Sequence, residues 1–362
     1  MGNDKQHPSG TRVTLASVAR EAGLSITTVS DILLRGVDSR YNQGTCKRVR
    51  KLADEMGYTP SRAAQQLAKG RSGEIGLLLT RALNNPYWAR ALSDIEKELR
   101  KRGYRLQLTV IDTLAEDPAK HLRELIEGRV EALIVGPIHD PVRFERIKAV
   151  LPKDFPICTF GLDLGDFDMV GVDEESSAHQ ATRHLVDMGH RRISYLCPPE
   201  ADFTKLNQMK AVLQSVGLVF DPNWLSTHTD TGQFDEISRI CMAFANQWNA
   251  APPDTRPTAM VCHSDSVALS AISAFNQSGI RVPEDLSLIG CDNLPESPYL
   301  LPALTSMDCR IDEQMAAAVD LAITRIKNPR RKRETRIFDP QLIPRASVRN
   351  LRAQEETDGK SF

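Results

Sequence analysis

At 362 residues the chain is too long for one compact core and points to two or three domains. A hydrophobic share of 41% with 26% charged residues is that of a soluble globular protein, and no apolar stretch is long enough to span a bilayer. The net charge of −1 conceals a division: residues 1–72 hold 12 Lys and Arg against 6 Asp and Glu and the rest hold 34 against 41, so a basic head of +6 precedes an acidic body of −7. A basic head is drawn to a phosphate backbone, with an affinity that falls steeply with salt.

Residues 1–11 form a polar tail, expected to be disordered, without the apolar run of a signal peptide, so the expected location is the cytoplasm. Leu15, Val18, Ala19 and Ala22 then recur at helical spacing and make one apolar face, with Thr14 as N-cap. Gly23 ends that helix, since glycine reaches the left-handed conformation without a Cβ clash. Ser25 stands at the N-cap of the next helix, which has its own apolar stripe at Val29, Ile32 and Leu33. Ile26, Thr27, Ser30 and Asp31 are left to face outward near its start. A helix-turn-helix of this size lays its second helix in the major groove and reads base edges with these N-terminal side chains. Two short amphipathic helices around a glycine turn also occur in globular proteins at large. Asp31 cannot donate to guanine; it either accepts from the amino group of cytosine or turns aside to a basic residue such as Arg35. A third helix over 45–58, capped by Thr45, is apolar at Val49, Leu52, Ala53 and Met56 and basic on its outer side.

The next segment, Ser61 to Lys69, is nine residues and well below the length at which an isolated helix holds in water. From Gly73 onward short apolar strands alternate with amphipathic helices. The strand candidates are 75–79, 106–111, 132–136, 157–160, 193–197, 259–262 and 286–290. Between them lie helices such as that carrying Trp88, Leu92, Ile95 and Leu99, and that of 179–188 closed by Gly189. This alternation implies parallel sheets covered by helices on both faces, which bind ligands beyond the carboxyl ends of their strands. The seven cysteines are scattered singly, several inside apolar runs, and read as small core residues. No phosphate-binding glycine motif follows a strand, and His179, His184 and His190 have neither metal-ligand nor protease spacing. His190, after Gly189, suits an interaction with a helix C-terminus. Nothing here suggests an enzyme or a cofactor.

The run Val13-Thr14-Leu15, Val18-Ala19-Arg20-Glu21-Ala22-Gly23-Leu24-Ser25, Thr28-Val29-Ser30, Gly57-Tyr58 and Arg62-Ala63-Ala64-Gln65-Gln66-Leu67 resembles the lactose-repressor/galactose-repressor (LacI/GalR) family of bacterial transcription regulators. The resemblance is dense over residues 13–70 and looser to about Asn350. It implies an all-α helix-turn-helix head joined by a hinge helix to an α/β core of two similar subdomains with parallel sheets, of the periplasmic-binding-protein-like type. The implied bounds are a helix-turn-helix domain over 12–59, a hinge over 60–72 and a core over 73–350. The core divides into one subdomain of about 73–171 and 311–338 and another of about 173–309 and 340–350, followed by a tail over 351–362.

The implied function is that of a DNA-binding regulator, by family analogy a repressor, working as a homodimer or higher oligomer on a palindromic duplex. Its effector would be a sugar or sugar derivative held between the subdomains. A transport-type sugar-binding protein is the alternative, but it would have an export signal and no DNA head. On this resemblance the DNA-facing residues are Thr14, Leu15, Ser25, Ile26, Thr27, Thr28, Ser30 and Asp31, with Arg62, Ala64 and Leu67 of the hinge. Leu67 matches the leucine that wedges into the minor groove.

The effector candidates are Asn84, Tyr87, Lys205, Ser264 and Asp292. Tyr87, in Asn84-Asn85-Pro86-Tyr87, either stacks on a sugar face or caps the following helix against the core. Ser264 replaces the asparagine of the family's Asn-Asp-x-x-Ala element. Gly290-Cys291-Asp292-Asn293 matches Gly-aromatic-Asp-Asp, whose first aspartate accepts from effector hydroxyls, although a turn cap is the plainer reading of Asp292. Lys205 and Gln208 stand where relatives carry an arginine and a glycine, Gly161 stands where many have an aspartate, and the loop 228–232 lacks an aromatic often found there. The pocket is therefore not tied to a sugar bound by other members.

Overall fold

The computed structural model describes residues 13–34, 40–59, 70–79, 85–111, 118–127, 130–136, 141–152, 154–161, 163, 165–197, 204–227 and 234–353. The hinge residues Arg62, Ala64 and Leu67, the candidate Asn84, the loop 228–232 and residues 1–11 lie outside them. The chain divides into two compact units, Met1–Gly73 and Glu74–Phe362.

The first unit is helical: α1 (Leu15–Ala22), α2 (Ile26–Leu34) and α3 (Gln43–Glu55). Val18, Ala19, Val29, Ile32, Cys46, Val49 and Ala53 are buried together. Thr14 caps α1 in a reciprocal pair with Ser17, each side chain reaching the other's backbone. Gly23 follows at φ 67°, the left-handed value that ends the helix cheaply only for glycine. Helix α3 begins earlier than the sequence suggests: Asn42 is the cap, accepting from Gly44 N–H at 2.7 Å, and Thr45 lies inside the helix.

The second unit holds two parallel sheets. Its elements are β1 (Glu74–Leu79), α4 (Pro86–Lys101), β2 (Arg105–Val110), α5 (Pro118–Glu127), β3 (Ala132–Val135), α6 (Pro141–Val150), β4 (Ile157–Phe160), β5 (Asp168–Val172), α7 (Glu174–Asp187) and β6 (Ile193–Cys197). There follow α8 (Thr204–Ser215), β7 (Leu225–Thr227), α9 (Phe234–Ala250), β8 (Ala259–Cys262), α10 (Asp265–Gln277), β9 (Ser287–Cys291), β10 (Thr305–Asp308), α11 (Ile311–Lys327), β11 (Thr335–Phe338) and β12 (Gln341–Ile343). The strand order is β11-β5-β4-β3-β1-β2 in one sheet and β12-β10-β9-β8-β6-β7 in the other. Every pairing is parallel except that of β12 with β10.

Strands β3, β4, β6 and β9 are buried along their whole length, as parallel strands covered on both faces must be. Helices α4 and α11 cover one face of the first sheet, where Ile95, Leu99, Met315 and Leu321 meet Leu77, Ile134 and Phe160. Leu122, Leu125 and Ile147 of α5 and α6 cover the other. In the second sheet, helices α9 and α10 pack around Phe244 and Phe275, while α7 and α8 pack through Leu185, Leu206 and Met209. The chain passes between the sheets three times, after Val172, between Asp308 and Ile311, and between Phe338 and Gln341. Helix α7 starts at Glu174 under an Asp173 cap, five residues before the periodic stretch found in the sequence, and ends at Asp187, with Gly189 following at φ 94°.

His190 serves the end of α7 through its backbone, whose N–H donates to the Leu185 carbonyl at 3.0 Å, while its ring binds elsewhere. Its Nδ1 meets Thr258 Oγ1 at 2.9 Å and its Nε2 meets the Arg349 carbonyl at 3.1 Å, which ties the loop before β6 to the C-terminal strap. Burial pulls its pKa down to about 4. No helix among the described residues is long and apolar enough to cross a membrane.

Candidate functional site

In the head, the α1 to α2 turn decides which side chains are free. Ser25 caps α2, accepting from Thr28 N–H at 3.1 Å, and its hydroxyl also meets Thr28 Oγ1 at 2.8 Å. Val29 and Ile32 face the core, so the opposite edge of α2 presents Ile26, 53% exposed, and Thr27. Ser30 and Asp31 are half-buried, and Asp31 Oδ2 accepts from the Tyr41 hydroxyl at 3.3 Å. One partner of Asp31 is thus a phenol from the approach to α3, while Arg35 lies outside the described residues. Thr14 is exposed and Leu15 half-buried at the start of α1. Lys47, Arg48, Arg50 and Lys51 are exposed along α3 and carry much of the head's positive charge.

In the core, the cleft-side residues gather at the carboxyl ends of β9 and β10. Asp292 and Asn293 follow β9 with φ 108° and 47°, two successive residues in the left-handed half of backbone space that side chains ordinarily avoid. The surroundings hold them there. Asp292 N–H donates to the Met307 carbonyl at 2.8 Å and Asn293 N–H to Ser306 Oγ at 3.1 Å. The Asn293 side chain lies between Asp308 at 3.1 Å and Arg345 at 2.5 Å. Such imposed strain is concentrated at binding sites.

Arg90 of α4 donates from Nη1 to the Asn293 carbonyl at 3.2 Å, a polar link from the first half of the core to this loop. Asn85 caps α4 through Tyr87 N–H at 3.0 Å with Pro86 at the first helical position, which sets Tyr87 at the helix start. Tyr87 is half-buried and makes an edge contact with Trp88 at 4.6 Å between ring centroids. Burial and then the negative charge of Asp292 push its hydroxyl pKa well above the usual range. Asp292 is raised likewise by burial, then by Cys291 and Asp265, with Lys205 and Arg90 opposing. Tyr87 and Asp292 therefore sense each other although they belong to opposite halves.

Lys205 of α8 sits with its ammonium 2.6 Å from Glu174 and 3.8 Å from the sulfur of Cys291. Gln208 is engaged with His179 at 3.4 Å. Ser264 caps α10, its hydroxyl accepting from Val267 N–H at 3.3 Å, so any ligand would meet a hydroxyl already holding a helix end.

Sequence reasoning missed Asp265 and the thiol pair. Asp265 is buried and accepts from Leu294 N–H at 2.8 Å, Ser297 Oγ at 2.5 Å and Ser306 Oγ at 2.6 Å, so it braces the loop that carries Asp292. Gly290 is there to admit it: a Cβ at 290 would stand 2.1 Å from Asp265 Oδ1. The glycine of Gly290-Cys291-Asp292 was the available signal, but nothing in the sequence named what approaches it. Cys291 and Cys309, on adjacent strands, bring their sulfurs to 3.4 Å. A hydrogen bond from Cys309 holds the Cys291 thiol below its ordinary pKa and pushes Cys309 above it.

A helical head with an exposed α2 edge, followed by two parallel-sheet halves linked through Arg90 and Asn293, is the architecture of a regulator whose DNA contact is governed by a small ligand. The comparisons agree. Residues 182–348 match the periplasmic binding protein-like domain family. The HTH-type transcriptional repressor PurR of Photobacterium profundum is 30% identical over 345 residues, 93% of this chain and 99% of that protein. The ribose operon repressor of Haemophilus influenzae is 27% identical over 94% of this chain and 99% of that one. The Lac repressor dimer bound to operator and the anti-inducer ONPF superposes with a TM-score of 0.81 at 23% identity, covering 94% and 100%. The chain belongs to the LacI/GalR family of helix-turn-helix transcriptional regulators, and its function is DNA-binding regulation under a small effector rather than catalysis.

Proposed function

We propose that the protein is a cytoplasmic repressor that binds a palindromic operator as a homodimer and changes its DNA affinity when a sugar or sugar derivative enters the core. The observation that carries this is the pairing of an open α2 edge on a basic head with the strained Asp292 to Asn293 loop at a cleft, in a chain that aligns over 93% of its length with a repressor. Ile26 and Thr27 enter the major groove, with Ser25, Thr28, Ser30 and Asp31 beside them and Thr14 and Leu15 on the backbone side. The hinge brings Arg62 and Ala64 to the minor groove and wedges Leu67 between base pairs, at a kinking cost that the intercalated side chain offsets. Asp292 accepts from adjacent effector hydroxyls, Tyr87 packs on the ring, and Lys205, Ser264 and Asn84 complete the polar lining. Both halves hold the ligand, and the Arg90 to Asn293 link makes their closure sensitive to it.

The test is a selection of duplexes from randomised half-sites, followed by anisotropy titration across salt and a thermal-shift screen of sugars. A palindromic motif, a steep salt dependence and a stabilising sugar that alters operator affinity are expected. Retention on any duplex with equal strength, or no effect of the stabilising ligand on DNA affinity, would overturn it.

A further inference from the structure

The carboxyl ends of β9 and β10 bring together three side chains, of which the two thiols have no part in the effector reading. Cys291 closes β9, opposite Met307 in the parallel pairing, and Cys309 follows β10 two residues beyond that partner. Both thiols are buried, at 6% and 4% exposure, and their sulfurs are 3.4 Å apart. Asp292 is the next residue after Cys291, and the two sulfurs and a carboxylate oxygen all lie within 4.8 Å of one another. The other five cysteines are buried without forming such a group among the described residues.

We propose that Cys291, Cys309 and Asp292 form a three-ligand site for a thiophilic divalent cation of the zinc class, open on its fourth side. Two thiolates and a carboxylate are the donor set that such ions prefer over magnesium or calcium, which take oxygen alone. The spacing suits it. Sulfurs bound at about 2.3 Å around a tetrahedral ion stand about 3.8 Å apart, so the observed pair needs to open by only a few tenths of an ångström. A covalent bond between the same sulfurs, at about 2.05 Å, would require them to close by more than an ångström.

Charge follows the same direction. Binding releases to solvent the protons that the two thiols and the Asp292 carboxyl carry and leaves three negative ligands around a doubly positive ion, and the Lys205 ammonium, 3.8 Å from Cys291 sulfur, offsets the remainder. The half-exposed Glu174 carboxylate shares that ammonium at 2.6 Å. Asp292 is shared with the sugar reading, but all three ligands belong to one half of the core, so the ion binds without a sugar.

The experiment uses the full-length protein, reduced and stripped with a chelator, titrated with Cd2+ and followed by ultraviolet thiolate-to-metal absorption. One equivalent should saturate a two-thiolate band, and Zn2+ should displace it and raise the melting temperature of the unaltered protein. Cys291→Ser and Cys309→Ser should each abolish the stoichiometric band while Cys241→Ser keeps it. Asp292→Asn should keep both thiolates and weaken binding by at least about 10–100-fold. Absence of the band in the unaltered protein overturns the site, as does its survival in both serine variants. Loss of two hydrogens by mass without metal uptake would show a redox pair instead and overturn it too. Sugar binding is read separately by calorimetry in the presence of chelator, so failure of either idea leaves the other standing.

Discussion

Asp168 in the first half of the core and Asp265 in the second are exposed by only 0% and 2%, and the two halves accommodate the buried carboxylate by different means. Asp168 opens β5 between two guanidinium groups: Arg325 binds it through two nitrogens at 2.9 and 2.6 Å and Arg331 at 2.7 Å, with Glu334 N–H at 2.9 Å. Asp265 opens α10 and its hydrogen-bond donors are two hydroxyls and one backbone amide, all neutral. Burial therefore wins over those bonds, and its pKa is pushed up to about 6. The first arrangement fastens the end of α11 and the approach to β11 onto the sheet, far along the chain from β5. The second braces the loop that presents Asp292. A charge matched by charge serves the frame of the core, while a carboxylate held by neutral donors serves the ligand side and leaves that side sensitive to protonation.

The largest effect should come from breaking the charged cluster. Asp168→Ala leaves two guanidinium groups buried without their shared partner, a change that costs about 3–5 kcal/mol. Urea unfolding of the full chain should show the core midpoint falling accordingly. A loss below about 1 kcal/mol would mean that solvent reaches the cluster and that the two halves do not differ as described.

The next effect is one of pH, and it has a sign for each group. Asp265 is at about 6 in the fold against an ordinary 3.8, so the folded state binds more protons between these values. Stability therefore falls by about 3 kcal/mol as pH rises through that window. His190 goes the other way, at about 4 against 6.5, so its contribution is complete above 6.5 and is lost, by about 3 kcal/mol, as pH falls towards 4. The two slopes nearly cancel between pH 4 and 6. In His190→Asn the melting temperature should decline as pH rises from 4 to 6, and in Asp265→Asn it should climb. Parallel profiles in the two variants would remove the distinction between a neutral-held and a cation-held carboxylate.

A smaller loss is expected from Gly290→Ala. The added Cβ meets Asp265 Oδ1 at 2.1 Å and Leu304 Cδ2 at 2.9 Å, and overpacking of this kind costs about 1–3 kcal/mol. Because the displaced carboxylate braces the Asp292 loop, ligand-induced stabilisation should drop together with the melting temperature. An alanine variant that melts lower but keeps full ligand response would confine Asp265 to a packing role.

Much of this architecture was legible in the sequence. All seven apolar strand candidates appear within a residue or so, and Thr14, Gly23 and Ser25 act as the caps their chemistry suggests. What escaped was polar or non-local. Strand β5 begins with the charged Asp168, β10 is Thr-Ser-Met-Asp, and β11 is Thr-Arg-Ile-Phe, so none carries the continuous apolar run of a buried strand. The start of α3 was misplaced because Asn42 caps through a polar stretch that has no apolar period. Asp265 and Gly290 are 25 positions apart, and Cys291 and Cys309 are 18 apart on neighbouring strands; their meeting depends on strand order and register, which residue types do not encode locally. Tyr87 and Asp292 were proposed from motif matches and Lys205 from a departure, whereas Ser264 as a helix cap and Glu174 as the partner of Lys205 needed the fold.

The smallest expected effect extends the comparison to a third carboxylate. Asp31 in the head is half-buried and accepts, among its contacts, a bond from the Tyr41 hydroxyl at 3.3 Å, at the long end of such bonds. Tyr41 also packs against the buried cluster of the head, so its ring holds the approach to α3 whether or not the hydroxyl is present. Tyr41→Phe keeps that packing and should cost about 0.5–1.5 kcal/mol, well below the effect at Asp168. Its DNA consequence is more informative than its stability. Without the phenol, the Asp31 carboxylate loses one restraint on the same edge of α2 as Thr27, where it would repel phosphates and accept only from cytosine amino groups. Selection from randomised half-sites with Tyr41→Phe should therefore strengthen any cytosine preference at the facing base pair, and Asp31→Asn should weaken it. Identical motifs from the unaltered protein and both variants would assign Asp31 to the fold of the head alone.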